Sequence, residues 1–208
     1  MSANSAININ AKSVTIQRFS LKASSQSEDG VQKLTEAMSQ FRASSEDKID
    51  RAFLGKISDS VVEQIFILNA PIDTAEPFIS FTSSPEQLSV STVVPSNHTF
   101  LYDAIHAPTT ETIVQDLVPG ADLEAISEAW TSLGESIRSW PGGYGSTFGF
   151  VQQEGKTKIV LINGWDGYDH AWKWLSNLDE ANTAYFRSSV TSLVGSSEPA
   201  FKHLTEIE

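Results

Sequence analysis

The chain has 208 residues, 40% hydrophobic and 19% charged, an ordinary globular composition with room for one large domain or two small ones. Its 14 Lys and Arg against 26 Asp and Glu leave a formal net charge of −12, so its surface repels phosphate backbones and anionic membranes and argues against nucleic acid or a membrane as partner. There is no Cys, which excludes disulfides, thiolate metal sites, iron–sulfur clusters and cysteine nucleophiles.

Residues 1–12, rich in Ser, Asn and Ala, read as a frayed tail without the apolar stretch of a signal peptide. No run approaches the roughly 18 apolar residues of a spanning helix, so a cytoplasmic location is expected. Val14 to Leu21 alternates as a strand. An amphipathic helix follows from about Glu28 to Arg42, with Val31, Leu34, Met38 and Phe41 on one face. Ala52 to Ile57 and Val61 to Leu68 form a hairpin around Ser58-Asp59-Ser60. Pro71, Pro77 and Pro85 then allow only short helical turns, one starting at Ser84-Pro85-Glu86, before a strand over Leu88 to Val94.

His98 to His106 also alternates and reads as a strand, with His98, Phe100, Tyr102, Ala104 and His106 on one face and Asp103 opposite. Pro108 to Gly120 reads as a loop. Asp122 is the expected cap of a helix reaching Trp140, whose stripe Ile126, Ala129, Trp130, Leu133, Ile137 and Trp140 serves an internal core or a subunit interface. Gly145 to Gln152 and Lys156 to Ile162 form a hairpin around Glu154-Gly155. Asp166 is the expected cap of the next helix, with Tyr168, Ala171, Trp172 and Leu175 buried and Trp174 off the stripe. A helix from Glu180 to Val194 presents Phe186, Val190 and Leu193 on one side and stops at Gly195-Ser196-Ser197. Ala200 to Ile207 is the final strand.

The two halves repeat. Ile65-Phe66-Ile67-Leu68-Asn69 lines up with Ile159-Val160-Leu161-Ile162-Asn163 at a constant offset of 94, and Phe53 with Phe148 at 95. A repeat of that size is a half-domain that must bury its apolar face against its copy. The fold class expected is therefore α+β: a degenerate ferredoxin-like module over 13–96 and a second over 97–208, with antiparallel sheets facing each other.

The run Ile159-Val160-Leu161-Ile162-Asn163-Gly164-Trp165-Asp166, followed by Tyr168-Asp169-His170-Ala171-Trp172, resembles the dimeric α+β barrel superfamily. The nearest branch is that of antibiotic-biosynthesis-monooxygenase-like proteins, with the stress-responsive barrel and EthD-like branches close behind. The resemblance implies two sheets closing into a barrel, helices outside and a pocket in each half. It also implies oxygenation, cyclisation or isomerisation of an aromatic or polyketide-like compound without a metal or dissociable cofactor. Ala70-Pro71-Ile72-Asp73 stands in the first half where the second has its Gly-Trp-Asp turn, so the second pocket is the one expected to work.

Candidate catalytic residues are Tyr102, His106 and His170, which could move a proton on an oxygenated aromatic ligand. Phe100, Phe148, Trp165 and Asn163 are candidate lining residues. No cofactor or metal site is expected, because no spacing of ligands supports one. The partner expected is a hydrophobic or aromatic small molecule, and a homodimer is compatible with the pattern. Two alternatives stand beside catalysis. One is a non-catalytic ligand-binding or stress-associated barrel. The other is haem binding through His170, as in chlorite-dismutase-like proteins that pair two such modules.

Overall fold

A computed structural model describes residues 12–84, 88–194 and 199–208. Most of the expected tail, the turn at Ser84-Pro85-Glu86 and the helix stop at Gly195-Ser196-Ser197 fall largely outside them. In chain order the first half runs β1 (Ser13–Ser20), α1 (Glu28–Ser44), β2 (Ile49–Lys56), β3 (Val61–Leu68), a 3-10 helix (Glu76–Phe81) and β4 (Ser89–Val93). The second runs α2 (His98–Ile105), β5 (Thr109–Asp116), α3 (Leu123–Ser139), β6 (Gly143–Gln153), β7 (Lys156–Trp165), α4 (Tyr168–Ser176), α5 (Glu180–Thr191), β8 (Ala200–Lys202) and β9 (Leu204–Ile207).

The elements form where local chemistry favours them. The Ser27 hydroxyl accepts from the Gly30 amide and starts α1; Asp122 accepts from the amides of Glu124 and Ala125 and starts α3. Along α3 the residues Ile126, Ala129, Trp130, Leu133 and Ile137 are all buried, one stripe at helical period. That stripe packs inward against the second sheet, so Trp130 belongs to the internal core. The β6–β7 hairpin turns through Glu154 (φ 55°) and Gly155 (φ 75°), two positive values that suit a tight turn between right-twisted strands.

Two antiparallel sheets result, in the orders β4-β1-β3-β2-β9 and β6-β7-β5-β8. Read from β4 and from β8, both place the fourth, first, third and second strands of their half side by side, the ferredoxin-like order. The sheets face each other across an apolar cluster that includes Ile16, Phe53, Ile65 and Ile67 from the first and Val160 and Ile162 from the second. On their outer faces, α1 covers the first sheet, and α3, α4 and α5 cover the second. Side chains of this cluster occupy the space between the sheets, where a barrel pocket would lie. Among the described residues no helix is long and apolar enough to cross a membrane.

Five expectations change. His98–Ile105 is a helix and not a strand, because the Asn97 side chain caps it by accepting from the Phe100 amide, and Leu101, Ala104 and Ile105 bury at spacings of three and four. Alternating aromatic and small residues satisfy either period over so short a run. The strand of this half lies instead in the expected loop: Thr109–Asp116 is β5, paired with β7 from Thr109↔Trp165 to Asp116↔Lys158, and its Thr, Ile and Val suit a pleated surface. In α4 the buried residues are Ala171 and Trp174, while Tyr168 and Trp172 are exposed; the stripe runs on a different face from the one expected. Gly167 sits at its N-cap without a side-chain bond, and Asp166 accepts from the Tyr144 hydroxyl at 2.8 Å instead. The final segment divides: β8 pairs with β5 in the second sheet, and β9 crosses to pair with β2 in the first.

Candidate functional site

Strand alternation sends one row of side chains from the second sheet toward its helices. On β7 these are Leu161, Asn163 and Trp165, and on β5 Glu111 and Ile113. The register makes Ser146, Asn163, Glu111 and Phe201 direct neighbours across β6, β7, β5 and β8. Cross-strand neighbours on one face approach within about 4.5–5.5 Å at Cβ, close enough for side chains to bond in series.

They do. The Ser146 hydroxyl donates to Asn163 Oδ1 at 2.5 Å, which orients the amide so that Nδ2 donates to Glu111 Oε2 at 2.9 Å. Trp165 Nε1 donates to the same Oε2 at 3.0 Å. Glu111 Oε1 receives no hydrogen bond among the described residues. This carboxyl is 8% exposed, and burial pushes its pKa up, opposed by the bonds from Asn163 and Trp165 and by the charge of Lys202.

Above this floor lies a cavity of about 270 Å³. Its walls are Trp130 of α3, Trp172 and Trp174 of α4, Phe186 and Val190 of α5, and Phe201. Trp174 packs on Trp165 with ring centroids 5.7 Å apart and donates through Nε1 to the Ser136 hydroxyl at 3.1 Å. Trp172 and Val190 line the cavity yet are 47% and 43% exposed, so they stand at its mouth. An acid whose pKa is raised by burial keeps its proton to higher pH than a surface carboxylate does, which suits it to proton exchange.

Of the residues singled out from sequence, Asn163 and Trp165 are in this site. Phe148 is buried on the same face of the second sheet, against Phe150, without lining the cavity. The other four lie elsewhere. Tyr102 donates to Asp50 Oδ2 at 2.8 Å and meets Lys12; His106 bonds the Tyr102 carbonyl through Nδ1 and sits edge-on to Phe53. Phe100 lies under the Arg138 guanidinium at 4.9 Å. His170 Nδ1 is 3.6 Å from Asp166 and packs on Gly142, outside the cavity lining. The alternation that grouped Phe100, Tyr102 and His106 on one face does not exist in a helix.

Glu111 escaped the sequence reading because its strand was taken for a loop. Its one signal is that, if the run of Thr, Ile and Val is read as a strand, Glu111 shares a face with Ile113.

No protein-family model and no curated protein matches the sequence. Solved structures do match over nearly the whole chain. An anthrone oxidase-like protein is 14% identical with a TM-score of 0.61, over 95% of this chain and 94% of that one. A protein from Fusobacterium nucleatum assigned as a monooxygenase is 12% identical with a TM-score of 0.58, over 95% and 93%. A protein assigned as a chlorite dismutase is 12% identical with a TM-score of 0.60, over 93% and 94%. At such identities the shared property is the fold.

Haem does not fit the described lining of this cavity. The described lining offers no His, Cys, Tyr or Met to hold iron and no Lys or Arg to pair with propionates. Its one charge-bearing group is an acid. Among the described residues no cluster of three His, Cys, Asp or Glu could hold a metal ion.

Proposed function

We propose that the protein is a small-molecule enzyme of the oxygenase-like kind, built from two tandem ferredoxin-like modules over 13–96 and 97–208, whose second half carries the working pocket. An apolar aromatic molecule enters between Trp172 and Val190 and lies against Trp165. Its polar end meets Glu111 Oε1, and the carboxyl exchanges a proton with it during an oxygenation, cyclisation or isomerisation that uses no metal or dissociable cofactor. The observation that carries this reading is a buried acid at the floor of an aromatic cavity, one oxygen held by two N–H donors and the other without a bond among the described residues. Removing water strengthens every interaction in such a site and lets one group handle the proton.

Four of the five Trp line the cavity, so intrinsic fluorescence reports its occupancy. Titration with aromatic ligands is expected to change that emission saturably, and Glu111→Gln to bind ligand while losing turnover. Emission that stays flat with every aromatic probe overturns the pocket. Turnover unchanged in Glu111→Gln removes the acid from the chemistry.

A further inference from the structure

The pocket also carries information about the charge of what it binds. Taking that pocket to be a small-molecule site, as proposed above, we propose that its ligand is an amine-bearing aromatic compound that docks with its protonated nitrogen on Glu111, and that carboxylates and phosphates are turned away.

The floor supplies an acceptor where a ligand's polar end would arrive. Glu111 Oε2 is occupied by Asn163 and Trp165, whereas Oε1 has no partner among the described residues. The donors nearby are already engaged. Trp165 Nε1 points at Glu111, Trp174 Nε1 at Ser136, and the Asn163 amide is oriented by Ser146 so that its nitrogen faces the acid. Trp130 Nε1 has no partner among the described residues, but it is sealed from solvent and so is not presented to an arriving molecule. An anionic ligand would find a carboxyl and no cation.

The walls favour the same sign. Four Trp and two Phe surround the acid, and aromatic ring faces carry negative potential that attracts cations, most strongly in desolvated settings. No Lys, Arg or His lies in the described lining; the nearest buried cation, Lys202, sits on the opposite face of the sheet, where it is bonded to Glu63. A net charge of −12 attracts cations toward the mouth from a distance. An ionised Glu111 with two N–H donors on one oxygen lacks only an opposite charge on the other. A ligand ammonium supplies it and offsets the cost of burying the carboxylate.

The test is calorimetric titration of the full chain with three probes sharing one ring system: naphthylmethylamine, naphthylmethanol and naphthoate. The amine is expected to bind tighter than the alcohol by on the order of tenfold, with naphthoate weakest. Glu111→Gln is expected to bring amine and alcohol level while alcohol binding persists. In the native protein the amine preference is expected to shrink as pH falls and Glu111 takes up a proton, a readout that needs no variant. If all three bind and the alcohol or naphthoate equals the amine, the charge assignment is wrong and the pocket stands. If Glu111→Gln keeps the preference, Glu111 is not its source and the proposal fails. If none binds, the pocket reading fails and takes this one with it.

Discussion

Lys202 Nζ lies 2.6 Å from Glu63 Oε1, and neither side chain reaches solvent. Glu63 belongs to β3 of the first sheet and Lys202 to β8 of the second, so the pair ties the sheets together across the interior. Thr112 donates to Glu63 and accepts from Lys202 at 2.7 Å, and Arg18 holds the other carboxylate oxygen at 2.8 Å. Burial lowers the Lys202 pKa from its ordinary value of 10.5, with Glu63 working against the fall. Lys202→Met removes one partner of a buried pair and is expected to cost about 3–5 kcal/mol of stability. Adding Glu63→Leu is expected to recover part of that loss. Urea denaturation of the two single variants and the double variant checks this, and strict additivity would refute the coupling.

Glu111 makes stability depend on pH in a stated direction. Its folded pKa is raised above 4.5 by burial, so the folded chain holds this proton more tightly than the unfolded chain does. Its contribution is fully present below the unfolded value and is lost as pH rises through the folded one. Urea midpoints for the native protein and Glu111→Gln, followed from about pH 4 to about pH 8, are expected to diverge, the native protein losing relative stability as pH rises. Parallel curves would mean that the acid is not held in a costly environment.

Asn163 links Ser146 to Glu111, and Asn163→Leu breaks both bonds at once. A buried group left without its partner costs about 1–3 kcal/mol, and loss of an N–H donor pushes the Glu111 pKa higher still. Denaturation measures the first effect. A shift of the Glu111-dependent pH window to higher pH measures the second, and an unmoved window would show that Trp165 alone sets the acid.

Gly164 sits where β7 meets the end of α2. A Cβ there would lie 2.6 Å from the Ala104 Cα and 2.9 Å from the Ala107 Cβ, the first being backbone that cannot rotate away. Gly164→Ala is expected to destabilise by about 1–3 kcal/mol through overpacking. Because Asn163 and Trp165 flank it, weaker ligand binding should accompany the loss. Full stability in thermal melts would mean α2 can move off the sheet.

Ligand binding should separate the aromatic candidates by position. Trp172→Ala, at the mouth, is expected to weaken binding several-fold. Its stability change should stay within about 1 kcal/mol, because the side chain is half-exposed. Tyr102→Phe and His106→Ala lie away from the cavity and are expected to leave ligand affinity unchanged in the same calorimetric titration. Tyr102→Phe costs about 0.5–1.5 kcal/mol for its bond to Asp50. Lost affinity in either would move the site toward α2.

Much of this architecture is legible in the chain. Val61–Leu68 is a strand to the residue as read, since eight largely β-branched and apolar positions between turn residues leave no other option. The α3 stripe and its Asp122 cap are equally plain. Asn163 and Trp165 stand out because they close the long apolar run of β7. Short segments were harder. Eight residues from His98 fit period two and period 3.6 alike, and only the Asn97 cap and the packing of Leu101 and Ala104 on the sheets decide between them. Misreading that segment displaced the opening strand by one element and hid Glu111 in a supposed loop.

By itself the sequence determined the order of the long elements, because hydrophobic period and turn chemistry act over a few neighbouring residues. Tertiary structure alone decided which face of the second sheet is open. The facing sheets fill the space between them with Phe53, Ile65, Val160 and their neighbours, whereas the outer face, roofed by three helices, keeps a cavity above Glu111. Which buried surface closes up depends on how side chains from distant segments meet, and residues 50 or more positions apart, such as Glu111 and Asn163, acquire a shared chemistry only when the register sets them side by side.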